Sequence, residues 1–264
     1  MPAGPPSNEV EPPGVVRGFA AGRPTRAVWE NEAGGITFEV AGPQRVFIKW
    51  APTGSGLDFD AEAERLSWAS PFTPVPRVLE MGSDESGAWL VTSPVSGETA
   101  IGERWRARPE IAVKAIGEGL RALHEALPVG QCPFSWSAEH RVDVARRSAK
   151  IGALEPMRWH PEHRTLSVED ALHLISDIPP IDRLVVCHGD ACAPNTLIDV
   201  DGNWSGHVDL GALGIADRWA DLAVATWSTE WNYGRGWEAT LLAAYGVEAD
   251  APRTRFYRLL WDLG

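Results

Sequence analysis

Short apolar runs separated by turn residues fill the part of the chain between residues 25 and 97. The runs at residues 27–29, 36–40 and 45–50 are divided by glycine-containing turns, a pattern typical of a meander of short strands. Good helix formers with an acidic first turn then predict one helix over residues 60–69. Two further strands are predicted at residues 75–79 and 88–92. This region is therefore predicted to be a mostly antiparallel sheet with one helix.

Helical periodicity dominates residues 98–264. Apolar residues recur every three or four positions between Glu110 and Leu127, which predicts an amphipathic helix. A capped start at Ser167 indicates a further helix. Strands flank a hairpin turn of the Asp-Gly-Asn type, and helices are predicted to follow the hairpin. The predicted fold class is α+β, with a small β-rich lobe at residues 25–97 and a larger, mainly helical lobe at residues 98–264.

The first 24 residues are rich in proline and glycine and show no periodicity. Such composition predicts a mobile tail. The start of the chain also lacks the charged and apolar regions of a signal peptide. No apolar run approaches the roughly 18 residues of a membrane span. We therefore expect no membrane partner.

The formal net charge of −12 argues against a nucleic-acid partner, because phosphate contacts need concentrated Lys and Arg. An acidic chain would suit a cationic small molecule, although acidity also simply favours solubility. The three cysteines are too few and scattered for a disulfide framework, so a cytoplasmic location is expected. No feature indicates a protein partner.

The most informative polar residues follow an apolar run in the second half of the chain. They read H-G-D-x-x-x-x-N with Asp190 and Asn195, followed by D-L-G with Asp209. Phosphoryl transfer needs a carboxylate that orients the attacking hydroxyl, and an amide oxygen plus a second carboxylate that hold a metal ion. We predict Asp190 as the base and Asn195 and Asp209 as Mg²⁺ ligands. Asx turns around Pro194 could explain Asp190 or Asn195 alone, but not the ordered set.

Cys187, His188 and Cys192 also permit a zinc interpretation. Their spacing does not match the usual paired zinc ligands, and no fourth ligand is close in sequence. A histidine beside such a loop more often bonds the backbone. The phosphoryl-transfer interpretation is favoured.

Lys49 lies in an apolar strand, where a lysine usually extends its charge to solvent at an edge. It could instead contact nucleotide phosphates if a helix glutamate held it, and Glu62 lies at a suitable place in the following helix. Glu64 is the competing partner. Gly34 and Gly35 could let backbone N–H groups approach phosphates, but a glycine pair is more often only a turn.

Several separated motifs occur together in one order. Through them the chain resembles the aminoglycoside phosphotransferases, antibiotic kinases with a protein-kinase-like two-lobed fold, over roughly residues 27–262. The motifs are FIK, AEAERLSW, PVPRVLE, VTSPVSG, ALHEALPVGQCPF, VVCHGDACAPN, GHVDLGALGIADRWADLA and FYRLLWD.

The resemblance implies Mg²⁺-dependent transfer of the γ-phosphate of ATP, with GTP as the alternative donor, to a hydroxyl of an aminoglycoside-type antibiotic. It matches Asp190 to the catalytic aspartate, Asn195 and Asp209 to the Mg²⁺ ligands, and Lys49 with Glu62 to the phosphate-binding pair. It also matches Phe47 to a residue against adenine, and the backbone of Ser93 and Val95 to the adenine-binding hinge.

The chain departs from the family pattern at positions that concern the drug. Ala33 replaces a common phosphate-loop serine, and Ala212 follows D-L-G where many members acting on a 3′-hydroxyl carry arginine. The chain ends in Asp262-Leu263-Gly264 without the aromatic residue often found there. Acidic candidates to bind substrate ammonium groups are Glu155, Glu162, Glu230 and Asp262.

Three alternatives remain open. The same chemistry could act on a nucleoside or other sugar-bearing antibiotic, with Trp227 and Trp231 as stacking surfaces. It could act on a small metabolic alcohol such as choline or homoserine. A non-enzymatic nucleotide-binding module would be expected to have lost a residue such as Lys49 or Asp190, and neither is lost.

Overall fold

A five-stranded antiparallel sheet organises the unit of the protein that ends at Val95. The computed structural model describes residues 4–264. The strand order is β1-β2-β3-β5-β4, and one helix, α2, lies between β3 and β4 in sequence. The bounds are β1 (Thr25–Glu30), β2 (Ile36–Val40), β3 (Val46–Pro52), α2 (Phe59–Ala69), β4 (Val78–Ser83) and β5 (Gly87–Thr92). The predicted meander is present, although β4 begins and ends later than the predicted strand at residues 75–79.

The prediction of a mobile tail over residues 1–24 is wrong for its second half. Residues 14–20 form helix α1 (Gly14–Ala20), whose Val16 and Ala20 are buried against the sheet residues Phe38 and Ile48. Residues four apart lie on one face of a helix, so Val16 and Ala20 can be buried together. The high Pro and Gly content of the segment concealed this short apolar face. Residues 1–3 lie outside the described residues.

Alternation along β3 divides its side chains between two faces of the sheet. Ile48 is fully buried in the cluster that contains α1. Since successive side chains of a strand point to opposite faces, Phe47 and Lys49 belong to the other face. Asp58 caps the start of helix α2, because its side chain accepts the N–H of Ala61. Glu62 lies in the first turn of this helix.

The unit from Ser96 to Gly264 is mainly helical and holds the larger core. The long amphipathic helix predicted at residues 110–127 is present as α4, with Val113, Ile116, Leu120 and Leu123 buried. The helices are α3 (Glu103–Arg106), α4 (Pro109–Ala126), α5 (Ala138–Lys150), α6 (Val168–Leu174), α7 (Trp219–Tyr233), α8 (Glu238–Tyr245) and α9 (Ala251–Asp262). α3, α5 and α9 were not predicted.

Two small antiparallel sheets in this unit position the polar motif. They are β6-β8-β9 and β7-β10. The bounds are β6 (Glu98–Thr99), β7 (Leu184–Cys187), β8 (Thr196–Ile198), β9 (Trp204–His207) and β10 (Gly214–Asp217). Residues 188–195 connect β7 to β8, and we call them the catalytic segment because they carry the predicted base Asp190 and the predicted Mg²⁺ ligand Asn195. The fold is the predicted α+β class. Within residues 4–264, no helix has the length and apolar character needed to cross a membrane.

Candidate active site

The catalytic segment is fixed at its start by one buried carboxylate of α7. Asp221 Oδ2 accepts the backbone N–H of His188 at 2.6 Å, and Oδ1 accepts that of Gly189 at 2.9 Å. Gly189 has a φ of +85°, and a Cβ at this position would lie 2.2 Å from the carbonyl oxygen of Ala212. Only glycine fits so close an approach in this conformation.

Asp221 is the most important residue that sequence reasoning missed. It is fully buried and also accepts a bond from Nε2 of His124 at 2.9 Å, while Nδ1 of His124 lies 2.8 Å from the hydroxyl of Tyr245. Burial raises the pKa of Asp221, but the hydrogen bond and charge of His124 and the other donors outweigh it and lower this pKa. A lone Asp among the apolar residues of α7 was the available signal.

The ring of His188 forms two hydrogen bonds with the backbone around the catalytic segment. Its Nδ1 accepts the N–H of Asp190 at 3.3 Å, and its Nε2 lies 2.9 Å from the carbonyl oxygen of Val208. A backbone N–H can only donate and a carbonyl can only accept, so the neutral ring carries its proton on Nε2. His188 thus links the catalytic segment to the chain just before Asp209.

Asp190 presents one bonded and one unbonded carboxylate oxygen. Its Oδ2 accepts Nδ2 of Asn195 at 3.0 Å, and the same amide also donates to the Asp190 carbonyl at 2.9 Å. Oδ1 is buried and has no hydrogen-bond partner among the residues that the structure describes. Burial raises the pKa of Asp190 and the charge of Asp209 adds to the rise, while hydrogen bonding by Cys192 and Asn195 opposes it. A buried acceptor left unpaired is costly, so its retention points to a functional partner.

Asn195 and Asp209 come together where β8 begins and β9 ends. Thr196 pairs with His207, and the N–H of Val208 donates to the Asn195 carbonyl at 3.0 Å. Asp209 has a φ of +67°, a conformation uncommon outside glycine that is often kept at functional sites. Because the Asn195 amide nitrogen is directed to Asp190, its oxygen is directed away. An amide oxygen with a carboxylate is a donor set that fits Mg²⁺.

The strand lysine of the first unit is paired as predicted. Lys49 Nζ lies 2.6 Å from Glu62 Oε1, with the two side chains 19% and 8% exposed. Glu64, the competing partner, is exposed. The largely buried pair holds the ammonium group in one place, which a phosphate-binding lysine needs. That it contacts nucleotide phosphates stays a prediction.

The Gly34–Gly35 pair forms a turn. The Gly34 N–H donates to the Asn31 carbonyl at 3.1 Å, and the Gly35 N–H donates to Oδ1 of Asn31 at 2.7 Å. Gly34 has a φ of +81°, and a Cβ on Gly35 would lie 2.5 Å from Leu57. Both N–H groups are therefore satisfied within the turn, which favours the structural alternative over phosphate binding.

The predicted adenine-contacting residues lie at the end of the same unit and on β3. The Ser93 N–H already donates to the Arg77 carbonyl at 2.9 Å. Of the backbone groups of Ser93, the carbonyl is therefore the one left to bond adenine, and it would accept from the amino group. Phe47 is partly buried and carries the guanidinium of Arg45 over its ring at 4.9 Å. The roles of Phe47, Ser93 and Val95 stay predictions.

Asp262, a candidate for binding substrate, is engaged by two histidines. Its Oδ2 lies 2.6 Å from Nδ1 of His163, and its carboxylate also accepts the backbone N–H of His160 at 3.1 Å. Its side chain is 10% exposed. Burial lowers the pKa of His160, although the charge of Asp262 opposes this. Neither histidine was predicted; both lie in a segment without clear periodicity.

The two tryptophans predicted as stacking surfaces differ in exposure. Trp227 is only 1% exposed, with the ring of His160 at 4.1 Å and the guanidinium of Arg258 at 5.4 Å. This burial does not support a stacking role for Trp227. Trp231 is 45% exposed and lies 5.5 Å from the Trp227 ring. It keeps an open surface.

The remaining acidic candidates are exposed or paired. Glu155 and Glu162 are exposed, and Glu230 forms an ion pair with Arg235 at 2.8 Å. Glu162 and His163 also line a cavity of about 550 Å³ whose other lining residues come mainly from the loop that follows α6 and from α9. Asp190, Asn195 and Asp209 are not among the residues that line it.

The zinc interpretation of Cys187, His188 and Cys192 is not supported. Among residues 4–264, the one group of three His, Cys, Asp or Glu side chains whose ligand atoms lie close together combines Cys187 with His124 and Asp221. There the Cys187 thiol donates to the Asp217 carbonyl at 3.4 Å, and His124 and Asp221 bond each other. These contacts explain the cluster as an anchor for the catalytic segment.

The fold and this arrangement of base, amide and carboxylate define a protein-kinase-like phosphotransferase. The phosphotransferase enzyme family matches residues 31–257. The chain is 37% identical over 250 residues to an aminoglycoside 3′-phosphotransferase of Streptomyces fradiae, covering 89% of this chain and 92% of that protein.

Two solved structures share the whole fold. An aminoglycoside-3′-phosphotransferase of type VIII matches with a TM-score of 0.81 and 33% identity, over 95% of this chain and 97% of that one. An aminoglycoside phosphotransferase from Streptomyces rimosus, in complex with ADP and streptomycin, matches with a TM-score of 0.74 and 30% identity, over 94% and 95%. The chain belongs to the phosphotransferase enzyme family, and the resemblance to aminoglycoside phosphotransferases is confirmed.

Proposed function

We propose that this kinase transfers the γ-phosphate of ATP to a hydroxyl of an aminoglycoside-type antibiotic and thereby confers resistance. The observation that carries the proposal is the unpaired Oδ1 of Asp190, in a segment anchored through Asp221. It is supported by relatives of similar length, an aminoglycoside 3′-phosphotransferase of Streptomyces fradiae and a streptomycin 3″-kinase of Streptomyces griseus. ATP use is supported by the ADP complex of the Streptomyces rimosus relative.

The chemistry follows from the carboxylate. The substrate hydroxyl donates a hydrogen bond to Asp190, and its oxygen attacks the γ-phosphorus as the bond to the β–γ bridging oxygen breaks. The hydroxyl proton passes to Asp190, and ADP leaves with the bridging oxygen. The raised pKa of Asp190 makes its ionised form a stronger base. Asn195 keeps the carboxylate oriented through its amide nitrogen.

Asn195 and Asp209 are proposed to hold Mg²⁺, which would offset phosphate charge. Lys49, held by Glu62, is proposed to contact the phosphates of ATP. The buried pair keeps its ammonium group from turning to solvent. ATP is the proposed donor, with GTP as the alternative, and a cytoplasmic location is proposed because ATP is the donor and all three cysteines are free.

The acidic character of the chain supports a cationic substrate. Asp262 is the proposed contact for a substrate ammonium group, since its two oxygens lie at the end of α9 in a partly enclosed position. A sugar-bearing antibiotic without several amines is the second candidate, because Trp231 is exposed while Asp262 and Glu230 already have partners.

ADP formation measured against a panel of acceptors tests the proposal. The panel contains aminoglycosides with a free 3′-hydroxyl, streptomycin, nucleoside antibiotics, choline and homoserine. We expect turnover with an aminoglycoside at least about a hundredfold above that with choline or homoserine, as expected when a site is built for its substrate. Turnover with a metabolic alcohol alone would overturn the resistance function.

A further inference from the structure

Helix α7 contacts the catalytic segment at two places. Asp221 binds its start, as described above, and Ser228 binds a point near its end, where Ser228 Oγ accepts the backbone N–H of Ala193 at 2.8 Å. Seven residues make about two helical turns, or roughly 10 Å, so both side chains lie on the same face. Ser228 is fully buried and Ala193 is 1% exposed.

The N–H of Ala193 opens the turn that carries Asn195. Residues Ala193–Asn195 form a single 3₁₀ turn, in which the Asn195 N–H donates to the Cys192 carbonyl at 3.0 Å. The amide of Asn195 in turn bonds both the carbonyl and Oδ2 of Asp190. A shift of this turn would therefore move Asn195 relative to Asp190.

Ser228 is itself held in place. Nδ2 of Asn232, one helical turn later, donates to the Ser228 carbonyl at 2.8 Å and to its Oγ at 3.2 Å. Residues 219–229 of α7 are buried without interruption. The hydroxyl oxygen thus has a fixed position on a rigid element, which is what support of a reacting group requires.

The neighbouring hydroxyls of α7 behave differently. Thr229 Oγ1 donates to the Thr226 carbonyl at 2.6 Å, and Thr226 Oγ1 donates to the Leu222 carbonyl at 2.8 Å while accepting Nη2 of Arg258, on α9, at 3.0 Å. Buried serines and threonines in helices commonly bond their own helix in this way. Of these hydroxyls it is Ser228 that accepts a backbone N–H of the catalytic segment, 35 positions away in sequence.

We propose that Ser228 is a positioning residue for phosphoryl transfer, fixing the turn of Ala193–Asn195 so that Asn195 and the base Asp190 keep their relative placement. The inference rests on the proposed function. With Asp221 it makes α7 a two-point support, one point at each end of the catalytic segment.

Ser228→Ala is the test variant, and Thr229→Val is its matched control because it removes a buried hydroxyl that bonds only α7. For Ser228→Ala we expect kcat to fall about tenfold or more and the Mg²⁺ concentration giving half-maximal rate to rise, with the KM for the acceptor changed less than about threefold. For Thr229→Val we expect a comparable loss of Tm and a kcat within about twofold of the wild type.

Ser228→Thr restores a hydroxyl and is expected to recover most of the lost kcat. Rates are referred to the folded fraction, obtained from melting curves of each variant. A folded Ser228→Ala with wild-type kcat and Mg²⁺ dependence would overturn the inference, as would equal kcat losses in Ser228→Ala and Thr229→Val. A folded Ser228→Thr as slow as Ser228→Ala would also count against it.

The wild-type reaction separates the two levels of the proposal. Absence of phosphoryl transfer to any aminoglycoside by the wild type contradicts the proposed function. Slow hydrolysis of ATP by water, measured without an acceptor, then still tests Ser228, since the same expected loss in Ser228→Ala relative to Thr229→Val would uphold its positioning role.

Discussion

The catalytic segment and the substrate-side residues of the same unit are built differently. Residues 188–195 are held by buried bonds from Asp221, Ser228 and the His188 ring. The residues proposed to contact the substrate, which we call the substrate-side residues, are mostly exposed, and Asp262 accepts hydrogen bonds from His163 and His160. They are Glu155, Glu162, Glu230, Trp231 and Asp262. Chemistry requires fixed geometry, whereas recognition can be changed at exposed positions without loss of the reacting groups.

The physical strength of the contacts follows the same division. Hydrogen bonds from buried N–H groups to the charged Asp221 are each worth about 1.5–3 kcal/mol. The Glu230–Arg235 pair has side chains 37% and 91% exposed, so it contributes little. Changes in the first region should therefore lower kcat, and changes in the second should alter KM for the antibiotic.

Asp190→Ala should have the largest effect of all. Removal of the base is expected to lower kcat about a thousandfold, while ATP binding stays within about threefold of the wild type. A coupled assay of ADP release and a calorimetric titration with ATP measure the two quantities. A kcat near that of the wild type would exclude Asp190 as the base.

Asp221→Asn should combine a loss of rate with a loss of stability. The substitution replaces one acceptor oxygen by an NH₂ group, which would face a backbone N–H without being able to accept its bond. We therefore expect kcat to fall about tenfold to a hundredfold and Tm to fall by several degrees. Melting curves and kinetics on the same preparation give both values. Unchanged values would show that the segment needs no anchor at its start.

The stability of the wild type should also depend on Asp221 in acid. The folded-state pKa of Asp221 lies below its ordinary value of 3.8, so its contribution is complete above that value and is lost as the pH falls through the folded pKa. We therefore expect Tm to drop more steeply in the wild type than in Asp221→Asn as the pH is lowered below 3.8. Parallel curves would contradict this assignment.

The buried pair of the first unit should resemble the catalytic segment in its sensitivity. Glu62→Gln removes the charge that holds Lys49 and is expected to raise the KM for ATP about tenfold. Glu64→Gln, two residues away at an exposed position, serves as the control and should leave the KM for ATP unchanged. Equal effects of the two substitutions would show that the Lys49–Glu62 pair has no special role.

Asp262→Asn should show the smallest effect, and the effect should be on the KM for the antibiotic instead of on kcat. We expect the KM for an aminoglycoside to rise about threefold to tenfold, with the KM for ATP and the kcat close to wild type. Glu248→Gln, at an exposed position outside the substrate-side residues, is the matched control. A kcat loss without a KM change in Asp262→Asn would move this residue into the reaction centre.

The sequence predicted the parts whose pattern is local. The H-G-D-x-x-x-x-N and D-L-G spacings predicted a site at Asp190, Asn195 and Asp209, which the structure places near one another, and helix periodicity predicted α4. The supports could not be predicted in this way, because Asp221 and Ser228 bond residues 32 to 35 positions away. Helix α1 was missed because burial of Val16 depends on a sheet formed later in the chain, and Trp227 gave no sequence signal of being covered by His160.

The central claim is that a carboxylate-assisted phosphoryl transfer modifies an aminoglycoside hydroxyl. Mass spectrometry of an aminoglycoside incubated with ATP, Mg²⁺ and either the wild type or Asp190→Ala tests it most directly. We predict that the wild type adds the mass of one phosphoryl group to the antibiotic while forming one equivalent of ADP, and that Asp190→Ala leaves the antibiotic unmodified. ADP formation by the wild type with an unmodified antibiotic, or full modification by Asp190→Ala, would contradict the account.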